Sequence, residues 1–196
     1  MKTRVALLIS LLLLSVASFS QTEKGSFYLS GISSLTFSRT VSTVFDQGAS
    51  DIESSLDINT FNIRSEFGYF LVKDLALGLA IDYSYSKNFK TSEPDVTKET
   101  LLMPCLMYVI PLKSSLRPYV QIGAGLISAK VGESTEEVSF FGFAFAGMIG
   151  AKYFFNETFA LDLGVQLSSA QLSSDEDELD LDTQNLTAGI GFSFYF

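Results

Sequence analysis

From residue 27 onward, large apolar residues alternate with small or polar ones in segments of about 10 to 14 residues. In LALGLAIDYSY, Leu75, Leu77, Leu79, Ile81, Tyr83 and Tyr85 share one side, and Ala76, Gly78, Ala80, Asp82 and Ser84 share the other. Successive side chains of a strand point to opposite faces, so this period predicts a strand with one oily face and one small or polar face. FNIRSEFGY sets Phe61, Ile63, Phe67 and Tyr69 against Asn62, Arg64, Glu66 and Gly68. FALDLGVQL sets Phe159, Leu161, Leu163, Val165 and Leu167 against Ala160, Asp162, Gly164 and Gln166. LTAGIGFSFYF sets Ile190, Phe192, Phe194 and Phe196 against Gly189, Gly191, Ser193 and Tyr195.

Three further segments are noisier. Phe27, Leu29, Leu35 and Phe37 share a face of GSFYLSGISSLTF, and Val120, Ile122, Ala124 and Leu126 oppose Tyr119, Gln121, Gly123 and Gly125. In FFGFAFAGMIGAKYF, Phe141, Phe143, Phe145, Ile149 and Tyr153 oppose Gly142, Ala144, Ala146, Gly150 and Lys152. TLLMPCLMYVI is apolar on both faces, leaving its sides unassigned, and Pro104 within it cannot donate a ladder bond. Eight antiparallel strands are predicted. Their short connections (72–74, 111–115, 156–158) have the size of hairpin turns. The long ones (38–56, 87–98, 131–138, 171–183) are polar.

Short turns at one end and long loops at the other are the arrangement of an outer-membrane barrel. Residue size separates this from a soluble barrel with its oily face inward. An eight-stranded barrel has an interior just wide enough for side chains to fill. Facing the aromatics in would overcrowd that space and leave Gly78, Gly123, Gly125, Gly142, Gly189 and Gly191 on the outside, where glycine packs nothing. The expected fold is therefore all-β, an eight-stranded antiparallel up-and-down transmembrane barrel with its large residues toward lipid. Arg64, Glu66, Asp82, Gln121, Lys152, Asp162 and Gln166 then fall inside. Charges of both signs in so narrow a space imply a paired, hydrogen-bonded network.

The first twenty residues stand apart. MKTR is basic, VALLISLLLL is apolar and SVASFS is small, the order of an export signal cleaved before Gln21, and the run is short for a spanning helix. The barrel domain is expected over 21–196. Without Lys2 and Arg4 the chain has 11 basic and 22 acidic residues, a net charge of −11 that disfavours nucleic acid. The one cysteine, Cys105, cannot form an internal disulfide.

FGYFLVKDLALGLAIDY (67–83), RPYVQIGAGL (117–126), GMIGAKYFFNETFALDLGV (147–165) and GIGFSFYF make the mature chain resemble the small outer-membrane β-barrel domain proteins of the OmpX and OmpA type. It departs from them around Pro104 and Cys105, where many such proteins carry a basic residue and paired tyrosines and only Tyr108 remains. The resemblance implies a bacterial outer-membrane location and contact with outer-membrane lipid. It also implies an assembly signal in Ile190, Phe192, Phe194 and Phe196, read by the barrel-assembly machinery.

The fold itself hosts adhesins, inhibitors, enzymes and anchors. The enzymes of this type depend on histidine, and the chain has none, which removes the usual general base and the commonest zinc ligand. SSDEDELDLD (173–182) lacks the spacing of a calcium-binding hand loop and reads as a solvated surface loop. No cofactor or metal is expected. The expected function is non-enzymatic: a monomeric barrel with a polar plugged interior and loops that meet an extracellular partner. The alternative is a small pore or a carrier of apolar ligands across the outer membrane.

Overall fold

The computed structural model describes residues 22–35, 43–44, 59–87, 96–132, 138–174 and 180–196. The predicted export signal lies outside these residues. The strands are β1 (Phe27–Leu35), β2 (Thr43–Val44), β3 (Asn59–Val72), β4 (Leu75–Lys87), β5 (Val96–Val109), β6 (Leu116–Val131), β7 (Val138–Phe154), β8 (Phe159–Ser174) and β9 (Asp180–Tyr195). Eight long strands pair antiparallel with their sequence neighbours, β1 closes on β9, and the two-residue β2 adds to the outer end of β9. No helix among the described residues is long and apolar enough to cross a membrane, and the crossing is made by strands. The β1–β9 pairing over 188–195 closes the sheet on itself, as backbone in hydrocarbon requires.

Register fixes the barrel's shape. The register path from Tyr28 through Gly68, Gly78, Cys105, Gly123, Ala146 and Ser168 returns at Asn185, ten residues from Tyr195, which pairs with Tyr28 directly. A stagger of ten over eight strands, with about 3.3 Å per residue and about 4.8 Å between strands, sets a tilt of about 40° and a Cα radius of about 8 Å.

The large apolar residues face outward, and Ile122, Phe145, Ile149 and Leu167 are each at least 60 % exposed. Phe27, Phe67, Tyr69 and Phe196 stack beside one another near the turn end, a local aromatic girdle. β5 acquires a facing that its pattern did not show. Leu101, Met103, Cys105, Met107 and Val109 point inward, while Leu102, Leu106 and Tyr108 point outward. The β5–β6 ladder skips Met103 and Pro104, between the Leu102–Leu126 and Cys105–Gly123 pairs, as proline's missing N–H requires.

Three loop bounds are corrected. Strand pairing runs to Ser174 and resumes at Asp180, so residues 171–174 and 180–183, expected in a connection, belong to strands, as do 87, 96–98, 131 and 138. Ladder bonds are made by backbone, so strands continue above the apolar band with polar side chains such as Gln171, Ser173 and Gln184.

Candidate functional site

The lumen is the candidate site, and it divides into layers. Toward the loops, Ser84, Ser168, Asn185 and Thr187 are half-buried along β4, β8 and β9. From β5 round to the loop end of β8, Leu101, Met103, Ile127, Ala144, Ala170 and Leu172 form a buried apolar cluster. The interior is thus less uniformly polar than the residue pattern predicts, because β5 is apolar on both sides.

Below lies an ionic cluster around Arg64. Its Nη2 donates to Glu66 Oε2 at 3.0 Å, and its Nη1 donates to Asp82 Oδ2 at 3.2 Å and to Gln166 Oε1 at 2.7 Å. Gln121 Nε2 donates to Glu66 Oε2 at 2.8 Å, and the Tyr28 hydroxyl donates to Glu66 Oε1. Register sets Arg64 opposite Asp82, and the alternation of β3 returns Glu66 to the same lumenal face. Glycine makes room for the cluster, since a Cβ on Gly68 would stand 2.2 Å from the Tyr28 ring and one on Gly78 2.8 Å from its hydroxyl.

Lys152 and Asp162 form a second, separate cluster, and they are also register partners. Lys152 Nζ donates to Asp162 Oδ2 at 2.9 Å and to Ser193 Oγ at 3.1 Å. Ser30 Oγ donates to the same carboxylate oxygen at 3.0 Å, and so does Ser193 Oγ. The ammonium also lies 4.8 Å from the Tyr119 ring centroid and 6.0 Å from that of Tyr28. Tyr28 therefore stands between the two clusters, hydrogen-bonded to the first and facing the cation of the second with its ring.

Aromatic rings fill the turn end of the lumen. Tyr28, Phe70, Phe154 and Tyr195 interlock at centroid distances of 5.2 to 6.3 Å. Beneath them the chain entering β1 crosses the mouth. Asp74 N–H donates to the Thr22 carbonyl at 2.8 Å, Gly25 N–H to that of Phe70 at 2.9 Å, and Thr22 Oγ1 to Asp74 Oδ1 at 2.5 Å. Arg117 Nη1 reaches Thr22 Oγ1 at 3.3 Å from β6 and lies 4.9 Å over the Phe154 ring. Gly25, at φ 95°, and Asp74, at φ 64°, supply the left-handed backbone of these two turns. Outside, Lys73 Nζ donates to Glu23 Oε1 at 2.6 Å, and this bond and charge hold the lysine's pKa above its ordinary value.

Five of the seven residues predicted for the interior network fall in the Arg64 cluster, and Lys152 and Asp162 fall in the other. Tyr28, Ser30 and Ser193 belong to these clusters and were not among the seven. Their parity beside Phe27, Leu29, Phe192 and Phe194 marks them as inward, but a charge-based search passes over hydroxyls. Thr22, Asp74 and Arg117 meet only through the fold of the mouth. Ile190, Phe192, Phe194 and Phe196 face outward on the closing strand. Among the described residues no group of three or more His, Cys, Asp or Glu is placed to hold a metal. Cys105 is buried in the lumen, 3 % exposed.

A family model described as outer membrane protein beta-barrel domain matches residues 6–194. Among solved structures, the chain is similar to Neisserial surface protein A, with a TM-score of 0.60 and 17 % identity over 88 % of this chain and 100 % of that one. It is similar to OprG from Pseudomonas aeruginosa, with a TM-score of 0.59 and 15 % identity over 91 % and 99 %. It is also similar to the attachment invasion locus protein of Yersinia pestis, solved with the heparin analogue sucrose octasulfate, with a TM-score of 0.53 and 16 % identity over 88 % and 99 %. At these identities the likeness is one of fold. No curated protein matches the chain.

Proposed function

Because the chain belongs to the outer membrane protein beta-barrel domain family and so lies in the bacterial outer membrane, we propose that it is a non-enzymatic integral barrel. Its role is to support the envelope or to present its loops to an extracellular partner. The observation that supports this reading is the packing of the turn end, where Tyr28, Phe70, Phe154 and Tyr195 interlock and Thr22, Asp74 and Arg117 are bonded beneath them. The absence of histidine supports a role without catalysis. Monomeric assembly through the C-terminal strand is part of the same proposal. Reconstitution in planar bilayers tests it: no conductance above leak is expected, and stable channels overturn the plugged reading.

The apolar lumenal cluster of Leu101, Met103, Ile127 and Leu172 favours one second reading, a carrier of apolar ligands entered from the loop end. An apolar molecule retained on the purified barrel, and lost when Leu101 and Ile127 become serine, would select it.

A further inference from the structure

Of the carboxylates that the described strands turn into the lumen, Glu66 and Asp82 bind Arg64, and Asp162 binds Lys152. Glu99 on β5 is the exception. It shares the inward face of Leu101 and Met103 and is half-buried, yet among the described residues no donor or cation reaches it, and burial alone acts on it. A carboxylate drawn away from water without a partner is unfavourable, so Glu99 marks a place that a cation from outside the chain can complete.

Register sets what surrounds it. Glu99 pairs with Ser84 of β4 on one side and with Ala129 of β6 on the other, and Ala129 pairs in turn with Phe140 of β7. One lumenal row thus carries a hydroxyl, a carboxylate, a methyl group and a ring. Ser84, Glu99 and Phe140 are half-buried, so water reaches the lumen at this level. Beneath Glu99 on the same strand face come Leu101 and Met103, which with Ile127 belong to the buried apolar cluster that Phe140 packs against. From Glu99 to Met103 is four residues, about 10 Å along the barrel axis at about 3.3 Å per residue and a tilt of about 40°. Carboxylate, hydroxyl and aromatic ring are groups that receive an ammonium ion, and the apolar cluster below suits an alkyl chain.

We propose that the loop end of the lumen binds an amphipathic alkylammonium cation, its ammonium group on Glu99 and Ser84 and its chain over Leu101, Met103 and Ile127. A neutral apolar ligand would leave the carboxylate unpaired, and an anionic one would be repelled by it. The proposal rests on the carrier reading above, of which it names the ligand class.

Equilibrium dialysis of n-octylammonium and of n-octanol at neutral pH against the full barrel in phosphatidylcholine nanodiscs, with barrel-free discs subtracted, tests it. The wild type is expected to bind both probes. Glu99→Gln should bind n-octylammonium about 10- to 100-fold more weakly, the loss of one charge-assisted hydrogen bond, and n-octanol as well as the wild type does. Leu101→Ser/Ile127→Ser should weaken both probes, methylammonium, which has no chain, should not be retained, and Glu157→Gln, at a turn, should match the wild type. Heat-modified gel mobility verifies that each variant is folded. Equal affinity of wild type and Glu99→Gln for n-octylammonium overturns the proposal, and if n-octanol is still bound the carrier reading stands without it. Binding of n-octylammonium that needs Glu99 but survives the Leu101 and Ile127 changes, or retention of methylammonium, also overturns it, since the site is then a plain ion exchanger. Binding of neither probe by the wild type overturns the proposal and the carrier reading together.

Discussion

Cutting the Lys152–Asp162 pair at one end should destabilise the barrel far more than removing both ends. Asp162 is 0 % exposed and Lys152 2 %, so neither charge has water to fall back on. In Lys152→Met the carboxylate keeps only the hydroxyls of Ser30 and Ser193; in Asp162→Leu the ammonium keeps Ser193 and the Tyr119 face. A buried charge deprived of its partner costs about 3–5 kcal/mol, whereas replacing both with apolar groups is often neutral. With a urea dependence of about 2 kcal/mol per molar, each single variant should lower the unfolding midpoint by about 1.5–2.5 M. The double variant should return to within about 0.5 M of wild type if its cost stays near 1 kcal/mol. Refolded barrels in lipid vesicles, titrated with urea and read by unboiled gel mobility, give the midpoints. Additive losses, with the double variant the least stable of the set, would refute the claim that the two charges act as one buried pair.

Other consequences are equally direct. Gly191→Ala places a Cβ 2.2 Å from the Gly31 carbonyl oxygen across the β1–β9 seam, while Gly147→Ala meets nothing within 4 Å; the first should cost about 1–3 kcal/mol and lower the closed-barrel fraction on unboiled gels, and the second should leave it unchanged. Deleting Phe196 removes its two reciprocal backbone bonds with Phe27, at 2.7 and 3.0 Å, and one outward aromatic, so the yield of inserted barrel in cells should fall; a normal yield would remove this residue from the assembly signal. Cys105 should resist a water-soluble maleimide in the folded barrel and react fully in urea, measured by mass shift.

How far the sequence reaches differs between wall and lumen. The facing of β4, β8 and β9 is legible in the alternation of Leu75 to Tyr85, Phe159 to Leu167 and Leu186 to Phe196, because a period of two survives any tertiary context. Residue size alone decides which face is wet, since Gly78 and Gly191 fit a crowded interior and Phe192 does not. β5 defeats this reasoning: Met103 and Cys105 are as apolar as Leu102 and Leu106, so only its pairing with β4 and β6 orients it.

The partners within the lumen depend on stagger, a property of the closed sheet that no single segment carries. Alternation puts Arg64, Glu66, Asp82, Lys152 and Asp162 inside, yet cannot say that Asp82 faces Arg64 while Asp162 faces Lys152. The same holds for Thr22 beside Arg117. By itself the sequence determined the strands, the lipid-facing wall and the charges to be neutralised within, because these follow from side-chain period and size. Only the tertiary structure decided which charges meet and which rings pack at the turn end, because register and closure are settled by all eight strands together.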